Sequence, residues 1–335
     1  MKALLCSSPR RLEIVERPKP SPRPGEALVR IARAGVCGTD LHIFDGSQPY
    51  FEYPRIIGHE LAGFIEDAGA TRHAVGDQVA IIPYRPCGQC IACRRGKTNC
   101  CRRLSVLGVH ADGGMAEYVC VPAANIVAAG DVRLDEAAMI EFLAIGAHAV
   151  RRAAVTAGQS VLVVGAGPIG IACMVFAKAR GAEVIALDSR VDRLDFCVRH
   201  ELAHHVVRAG GEAKAELSRL TQDEFFECVF DATGSAQAMN AGFELVAHGG
   251  AYVLVSIVRD TISFSDPEFH KREMTLLSSR NATREDFDAV LSAVRAGAVP
   301  MSALATHRAK LAEAPELFAH WINPESRVIK ALIEI

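Results

Sequence analysis

The sequence predicts a two-domain α/β protein, with a mainly β domain followed by a doubly wound parallel sheet. Its 335 residues are too many for one small core and fit two domains of ordinary size. Early in the chain, short strand-like runs alternate with turn residues. Further along, apolar runs alternate regularly with helix-like segments, a rhythm typical of parallel strands covered by helices on both faces.

The first domain is predicted from short elements. The runs at 27–32 (ALVRIA) and 79–82 indicate strands, the proline-rich stretch at 18–25 indicates a loop, and a helical pattern covers residues 135–152. After Arg280 we expect a helix, a strand, a second helix and a last strand at 328–335.

The parallel sheet is predicted from apolar runs of strand length. They lie at 161–164, 184–187, 228–230, 252–255 and 274–277. The segment 169–180 predicts the first helix between them. The run AYVLVSIV at 251–258, followed by TISFSD, is a candidate sheet edge for pairing with a second subunit.

Composition and charge exclude several classes of protein. Half of the residues are hydrophobic and 23% are charged, which is typical of a globular chain and not of a disordered one. A net charge of -2 gives no electrostatic reason to expect nucleic acid or an anionic membrane as a partner. No apolar run has the length of a membrane helix, and the opening MKALLCSSPRRLEIVERP lacks the apolar stretch of a signal peptide. We therefore expect a cytoplasmic protein.

A glycine-rich motif follows the first strand of the predicted parallel sheet. Its residues are Gly165, Gly167, Pro168, Ile169 and Gly170, in G-x-G-x-x-G spacing. A buried strand precedes the motif, an alanine-rich helix follows it, and Asp188 ends the next strand. In that context the motif predicts a Rossmann dinucleotide fold, in which the glycines let the backbone approach a pyrophosphate at the helix N-terminus.

Asp188 indicates which dinucleotide is bound. A carboxylate at that place accepts hydrogen bonds from the ribose hydroxyls and repels a 2′-phosphate, so NAD is favoured over NADP. Arg190 and Arg193 follow closely and keep NADP open, because a guanidinium can hold a 2′-phosphate. An ordinary α/β sheet without nucleotide is the other alternative.

The cysteines are unevenly distributed. Five of the eleven fall within residues 87–101. Four of these have the spacing of a structural zinc site: Cys87, Cys90, Cys93 and Cys101. Four thiolates satisfy tetrahedral zinc and leave no position for a substrate. Cys100 adjoins Cys101, and only one of that pair is expected to bind; disulfides or idle thiols are the alternatives.

A second possible metal set is spread more widely along the chain. It comprises Cys37, His59, Glu60 and Glu141. Spacing alone leaves this set open, because a cysteine beside glycine is often a small buried residue and a His-Glu pair often ends a strand.

Taken in order, these motifs resemble those of the zinc-dependent medium-chain alcohol and polyol dehydrogenases. The resemblance covers nearly the whole chain and is carried by Gly35–His42 (GVCGTDLH), Gly58–Glu60, the cysteine loop, and the glycine motif with Asp188. It implies a GroES-like catalytic domain of residues 1–145 and 281–335 with both zinc sites. A Rossmann NAD-binding domain of residues 146–280 is inserted between these segments.

The resemblance also implies how the second metal set is used. Cys37, His59 and an acidic residue hold a catalytic zinc, so that the chain binds two zinc ions. Glu60 and Glu141 are both candidates for the acidic ligand, and the one that binds directly varies within the family. The family often has proline after the second glutamate, where this chain has Phe142.

Further roles follow from the same resemblance. Thr39 is expected to bond the substrate oxygen, His42 to relay its proton to solvent, and Asp40 to orient the zinc-binding histidine. Arg193 is expected to pack against the adenosine, and Arg280 to reach the cofactor or a substrate carboxylate.

The substrate is suggested by two runs, at 104–122 and 277–287. They resemble a bacterial group acting on sugar acids, which includes the L-galactonate, L-gulonate and L-idonate 5-dehydrogenases. The implied reaction is NAD-linked oxidation of a secondary hydroxyl to a ketone. A neutral polyol, threonine or another small secondary alcohol is the alternative substrate. A non-catalytic nucleotide-binding protein and a zinc-free quinone reductase are disfavoured by the two metal sets. The family is usually homodimeric or homotetrameric.

Overall fold

The computed structural model describes residues 1–335, which form two compact units. Unit 1 is Met1–Phe142 with Thr283–Ile335, and unit 2 is Leu143–Ala282. The chain passes between the units at 142/143 and 282/283, where the sequence had placed the changes at 145/146 and 280/281.

The strands are numbered in chain order through both units. They are β1 Lys2–Ser8, β2 Arg11–Glu16, β3 Glu26–Val36, β4 Arg55–Ile56, β5 Glu60–Asp67, β6 Gln78–Ile81, β7 Tyr84–Arg85, β8 Ser105–Val106, β9 Tyr118–Pro122, β10 Ile126–Ala128, β11 Ser160–Val164, β12 Glu183–Asp188, β13 His205–Arg208, β14 Phe226–Asp231, β15 Val246–Leu254, β16 Thr275–Ser278, β17 Ala305–Lys310 and β18 Lys330–Glu334.

The helices are numbered in the same way. They are α1 Gly38–Asp45, α2 Ile91–Arg94, α3 Leu134–Ala137, α4 Ile140–Arg152, α5 Pro168–Ala179, α6 Val191–Arg199, α7 Ala213–Leu220, α8 Ala236–Gly242, α9 Asp266–Lys271, α10 Arg284–Arg295, α11 Met301–Leu304 and α12 Ala314–Trp321. None of them combines the length and the apolar character that a bilayer crossing requires.

Unit 1 is built mainly from β-structure, in agreement with the predicted fold class. Its largest sheet has the order β10-β6-β5-β3-β18-β17, and β9 also pairs with β3. The pairs of β3 with β5 and β18 are antiparallel, so the last strand of the chain lies beside β3. This pairing brings residues from three distant parts of the sequence together.

The helix predicted at 135–152 is interrupted. It consists of α3 and α4, which are separated by Ala138 and Met139. The amide of Met139 donates to the carbonyl of Glu136, three residues back, so the last turn of α3 is tighter than an α-helix. The second helix begins at Ile140, which places Glu141 in its first turn.

Unit 2 is a six-stranded parallel sheet, which confirms the predicted Rossmann fold. Its order is β13-β12-β11-β14-β15-β16, the doubly wound 3-2-1-4-5-6 arrangement. The five predicted strand runs fall on β11, β12, β14, β15 and β16, and the predicted helix is α5. The strands are apolar along most of their length because helices cover both faces of the sheet.

The expected sheet edge at 251–258 is wrong. The first half of that run, 251–254, belongs to β15, which pairs with β14 on one side and β16 on the other. Tyr252 and Val253 are fully buried, so the apolar character reflects an interior strand. The edge is β16, a short strand with Leu276 exposed.

Candidate functional site

The four predicted cysteine ligands lie together in the loop that follows β7. The Sγ atoms of Cys87, Cys90, Cys93 and Cys101 are all within 4.8 Å of one another. None of the eleven cysteines forms a disulfide. Cys100 is exposed and outside this group, so Cys101 is the member of the adjacent pair that faces the other three thiols.

Backbone amides make this group suitable for a cation. The N–H groups of Cys87 and Arg103 donate to the Sγ of Cys101 at 3.2 and 3.3 Å. Amides of Gln89 and Cys90 lower the pKa of the Cys87 thiol to about 5. Thiolates are the form that binds zinc, so the donors fit a four-coordinate zinc ion with no open position.

The second group is assembled around β3 and β5. Cys37 directly follows β3, and His59 directly precedes Glu60, the first residue of β5. The antiparallel register pairs Gly35 with Glu60, which brings the end of β3 beside the start of β5. Ligand atoms of Cys37, His59 and Glu60 lie within 4.8 Å of one another.

Asp40 fixes the backbone on both sides of this group. Its carboxylate is fully buried and accepts hydrogen bonds from the amides of Cys37, at 2.9 Å, and Gly58, at 3.2 Å. It is 3.7 Å from the Nδ1 atom of His59, which is too long for a hydrogen bond. Asp40 therefore positions the loops that carry Cys37 and His59, and acts on the imidazole through charge.

Glu141 enters the same cluster from α4. Its carboxylate is buried, and Oε1 accepts a hydrogen bond from the hydroxyl of Tyr84. The other oxygen, Oε2, has no hydrogen-bond partner, and neither has Nδ1 of His59. Burial raises the pKa of Glu141 to about 7. Burial lowers the pKa of His59, but Asp40 and Cys37 outweigh it and raise that pKa well above its usual value.

The thiol of Cys37, the imidazole of His59 and the neighbouring carboxylates are donors that fit a metal ion. Buried polar atoms without partners are costly, and a thiol, an imidazole and a carboxylate are the donors that zinc takes in proteins. Tyr84 was not recognised from the sequence, where only its position shortly before the cysteine loop could have indicated a role. Lys330 was also missed. Its ammonium lies 2.6 and 2.7 Å from the two carboxylate oxygens of Glu60.

Thr39 and His42 both lie on α1, which begins directly after Cys37. Thr39 is half-buried in the first turn, and His42 is exposed one turn further along. The Nδ1 atom of His42 is 3.0 Å from the hydroxyl of Ser47. Ser47 was another residue that sequence reasoning did not identify.

Unit 2 contains a cleft of about 820 Å³ at the carboxyl ends of its strands. The ends of β11, β12 and β14 contribute Val164, Gly165, Leu187, Asp188 and Thr233 to its walls. In doubly wound sheets, ligands bind at this edge, where the strand order reverses. The predicted glycine motif therefore lies at the expected place.

The three glycines of the motif lie in different structural surroundings. Gly165 has a φ of +94°, a conformation that side chains rarely adopt. A Cβ on Gly170 would lie 1.7 Å from the carbonyl oxygen of Gly165, so only glycine allows this close packing of α5 on the loop. Space is open beside Gly167, which lines the cleft just before Pro168 and Ile169 start the helix.

The carboxylate of Asp188 is held at the cleft by two backbone amides. Oδ2 accepts from Ala166 at 2.6 Å and Oδ1 from Arg190 at 2.8 Å. The guanidinium of Arg190 binds both oxygens of Asp192, and Arg193 is buried in the cleft wall. Arg280 follows β16 and is not among the residues that line this cleft.

Comparisons with known proteins match the two units. The Alcohol dehydrogenase GroES-like domain matches residues 23–131, and the Zinc-binding dehydrogenase domain matches residues 168–296. The chain is 42% identical to L-galactonate-5-dehydrogenase of Escherichia coli K12, over 99% of this chain and 98% of that protein. It is 33% identical to the probable D-xylulose reductase A of Neosartorya fischeri, over 90% and 88% of the two chains.

A solved structure matches the whole chain. It is an alcohol dehydrogenase of Escherichia coli CFT073 in complex with NADH, with a TM-score of 0.93 and 30% identity, covering 100% of this chain and 99% of that chain. The protein therefore belongs to the zinc-type medium-chain dehydrogenases, oxidoreductases that depend on zinc and a nicotinamide dinucleotide.

Proposed function

We propose that the protein oxidises a secondary hydroxyl of a sugar acid, a hexonate such as L-galactonate or L-gulonate, to a ketone with NAD. The observation that carries this proposal is the 42% identity to L-galactonate-5-dehydrogenase over almost the full length of both chains. In the balanced reaction, the carbinol carbon gives a hydride to the dinucleotide and the hydroxyl loses a proton to solvent.

The reactive group is proposed to be Cys37, His59 and a buried glutamate. When bound there, zinc supplies Lewis-acid polarisation that lowers the pKa of the substrate hydroxyl. The chain's own contribution is to orient these donors. Asp40 fixes the backbone of Cys37 and Gly58. Burial excludes water from His59 and Glu141, which strengthens their interaction with a cation.

The proton is proposed to leave through α1. Thr39 is the half-buried residue nearest in sequence to Cys37 that carries a hydroxyl, and His42 is exposed one turn later. A hydroxyl can accept one proton and donate another, and imidazole exchanges protons with water near neutral pH. Because Nδ1 of His42 lies beside the Ser47 hydroxyl, the ring has a defined orientation for this exchange.

NAD is proposed as the preferred dinucleotide. The carboxylate of Asp188 faces the cleft and would accept the ribose hydroxyls while repelling a 2′-phosphate. Arg190 is engaged by Asp192, which reduces its availability for a phosphate. A substitution of Asp188 should therefore raise KM for NAD by about tenfold or more, because hydrogen bonds to a charged group contribute about 1.5–3 kcal/mol.

The substrate test is a panel of alcohols assayed with NAD and with NADP. L-galactonate, L-gulonate and L-idonate are compared with xylitol, sorbitol and L-threonine at mildly alkaline pH. We expect the highest kcat/KM for a hexonate with NAD. Lack of turnover with every hexonate would contradict the proposal.

The second candidate is a neutral polyol dehydrogenase. The similarity to D-xylulose reductases over 90% of the chain favours it. It predicts that the carboxylate of a hexonate contributes nothing to kcat/KM. The ratio of kcat/KM for L-gulonate to that for sorbitol separates the two candidates.

We also propose that the protein is a homo-oligomer that pairs through β16. This strand ends the sheet of unit 2, so one side of its backbone is unpaired, and Leu276 on it is 38% exposed. Ile257 is 69% exposed and Phe264 is 43% exposed in the segment between β15 and α9. Light scattering should give a dimer or tetramer, and Leu276→Lys should reduce the mass; a monomeric wild type would contradict this proposal.

A further inference from the structure

A buried carboxylate lies at the end of a central strand of unit 2, directly before residues that line the cleft. Asp231, the last residue of β14, is fully buried. Strand β14 lies between β11 and β15, and Asp231 is opposite Val164, the residue that precedes the glycine motif. The chain leaves the strand at Asp231 and continues as residues 232–235, hereafter the β14 turn.

The carboxylate of Asp231 binds this turn directly. Oδ1 accepts hydrogen bonds from the amide of Thr233, at 3.0 Å, and from its hydroxyl, at 2.7 Å. The hydroxyl oxygen of Thr233 accepts in turn from the amide of Ser235, at 3.1 Å. The hydroxyl of Ser235 accepts from the amide of Ala238 and caps the N-terminus of α8. A series of hydrogen bonds therefore runs from Asp231 to the start of the next helix.

The turn is also held from the segment that follows β15. The hydroxyl oxygen of Ser256 accepts from the amide of Gly234 at 2.9 Å, and the same hydroxyl donates to the carboxylate of Asp231. The amide of Ser256 lies 3.3 Å from the carbonyl oxygen of Asp231. Asp231 and Ser256 thus bind the turn on both sides of its middle.

The β14 turn forms part of the wall of the cleft. The amide of Ala232 donates to the carbonyl of Val164 at 2.8 Å, and a Cβ on Gly165 would lie 3.0 Å from the carbonyl carbon of Ala232. The turn therefore packs against the first glycine of the motif. Asp231 itself does not line the cleft, but three residues of the turn do: Ala232, Thr233 and Ser235.

The carboxylate and the turn stabilise each other. Burial raises the pKa of Asp231, and the hydrogen bonds from Thr233, Tyr252 and Ser256 act against this rise. A buried polar group is costly unless it is hydrogen-bonded. Without the turn, Asp231 would lose its closest donors, and without Asp231, the amide and hydroxyl of Thr233 would lose their acceptor.

We propose that Asp231 is a positioning residue for the nicotinamide dinucleotide, which holds the β14 turn against the glycine motif in the conformation that the cofactor binds. Asp231 acts through Thr233 and Ser256 and does not itself line the cleft. In a doubly wound sheet the ligand binds at this edge, so the turn belongs to the binding surface. A wall that is already ordered favours binding, because association then does not have to order it. The inference concerns the dinucleotide and is independent of which alcohol is oxidised.

The test measures the dissociation constant of NADH for the full-length protein by calorimetric titration, and it requires no alcohol. Asp231→Ala is compared with Asp231→Asn, which retains a carbonyl oxygen that can accept both hydrogen bonds from Thr233. We expect Asp231→Ala to raise Kd by about tenfold or more, because two hydrogen bonds to the turn are lost. Asp231→Asn should stay within about threefold of the wild type. An unchanged Kd in folded Asp231→Ala, or a Kd of Asp231→Asn as high as that of Asp231→Ala, would overturn the proposal.

Tyr252→Phe is the matched control for a general loss of stability. The hydroxyl of this buried residue donates its one proton to the carbonyl of Met239 at 2.9 Å and lies 3.5 Å from Oδ2 of Asp231. The variant removes a buried hydrogen bond from the same region without releasing Thr233. It should lower the midpoint of thermal unfolding and leave Kd for NADH within about twofold. A rise in Kd equal to that of Asp231→Ala would mean that lost stability alone weakens binding, which would contradict the positioning role.

A second pair of variants applies if Asp231→Ala does not fold. Thr233→Val removes the hydroxyl that joins Asp231 to Ser235 and keeps the shape of the side chain, whereas Thr233→Ser keeps the hydroxyl. We expect Thr233→Val to raise Kd for NADH severalfold and Thr233→Ser to leave it near that of the wild type. Equal values for the two variants would refute the proposal.

Discussion

The two candidate metal-binding groups in unit 1 are built in opposite ways. The four-cysteine group comes from a single loop of fifteen residues, Cys87–Cys101, and all four of its donors are thiols. The reactive group combines Cys37, His59 and two glutamates from different elements, with Lys330 supplied by the last strand. One group is local and uniform, and the other is distant in sequence and chemically mixed.

The surroundings of the two groups also differ. In the four-cysteine group two backbone amides donate to the Sγ of Cys101, and four sulfur donors are enough to saturate a metal. In the second group, Oε2 of Glu141 is buried without a partner, and both carboxylate oxygens of Glu60 accept hydrogen bonds from Lys330. A saturated group can only hold the chain together, whereas an incompletely satisfied one can accept a further ligand. The comparison therefore predicts that the four-cysteine group serves stability and that the other group serves chemistry.

The largest expected effect is on catalysis, from Cys37→Ser. Zinc contributes several kcal/mol to stabilising charge in the transition state, and about 1.4 kcal/mol corresponds to tenfold in rate. We expect kcat/KM to fall by at least ~10³-fold, and zinc to fall by about one per chain. Steady-state kinetics and metal analysis measure both.

The control for this variant is Cys100→Ser, which changes an exposed cysteine outside both groups. It should leave kcat/KM and zinc content unchanged. Near-normal activity of Cys37→Ser after loss of its zinc would show that the two groups do not divide chemistry and stability in this way.

The next effect is on stability, from Cys90→Ser in the cysteine loop. Without its metal, the loop has little apolar core, since α2 contains no buried residue. We expect the free energy of unfolding to fall by more than ~3 kcal/mol, because metal binding there is coupled to folding. Thermal and urea unfolding measure the loss. The activity per folded molecule should stay near that of the wild type, and a fall comparable to that of Cys37→Ser would contradict the comparison.

A smaller effect is expected from His42→Gln in α1. Loss of a positioned acid–base group typically costs about 10²-fold, and the loss should shrink as pH rises because hydroxide takes over the proton. The pH profile of kcat measures this. Ser47→Ala removes one hydrogen bond of about 1 kcal/mol to the ring and should lower kcat by only severalfold. A His42→Gln profile parallel to that of the wild type would exclude the relay.

The local parts of the molecule could be predicted from the sequence. The glycine motif and the cysteine loop depend on residues near one another in the chain. Spacing located the cysteine loop, and spacing together with the adjacent strand, helix and Asp188 located the glycine motif. The parallel sheet was likewise predictable, because each buried strand is a continuous apolar run.

Long-range contacts could not be predicted in the same way. The pairing of Lys330 with Glu60 depends on β18 lying beside β3, and no spacing rule gives that neighbour. A lysine within the apolar run at 328–333 was the available signal. The hydrogen bond from Tyr84 to Glu141 similarly joins residues 57 positions apart. An apolar run such as 251–258 also cannot distinguish an interior strand from an edge strand, because both are rich in valine and leucine.

The smallest expected effect is on the pH dependence of zinc binding at the reactive group. Without metal, the pKa of Glu141 is raised to about 7 by burial, and the pKa of His59 is raised by Asp40 and Cys37 although burial opposes it. His59 therefore holds a proton at neutral pH and Glu141 takes one up as the pH falls below about 7, and zinc must displace these protons. The apparent affinity should fall as pH decreases, by about tenfold per pH unit for each protonated group. Calorimetry in buffers of different ionisation enthalpy counts the released protons, and Cys37→Ser, which retains only the four-cysteine zinc, provides the baseline. Affinity that stays constant between pH 8 and pH 6, relative to that baseline, would contradict the raised pKa values, and with them the view that these donors await a metal.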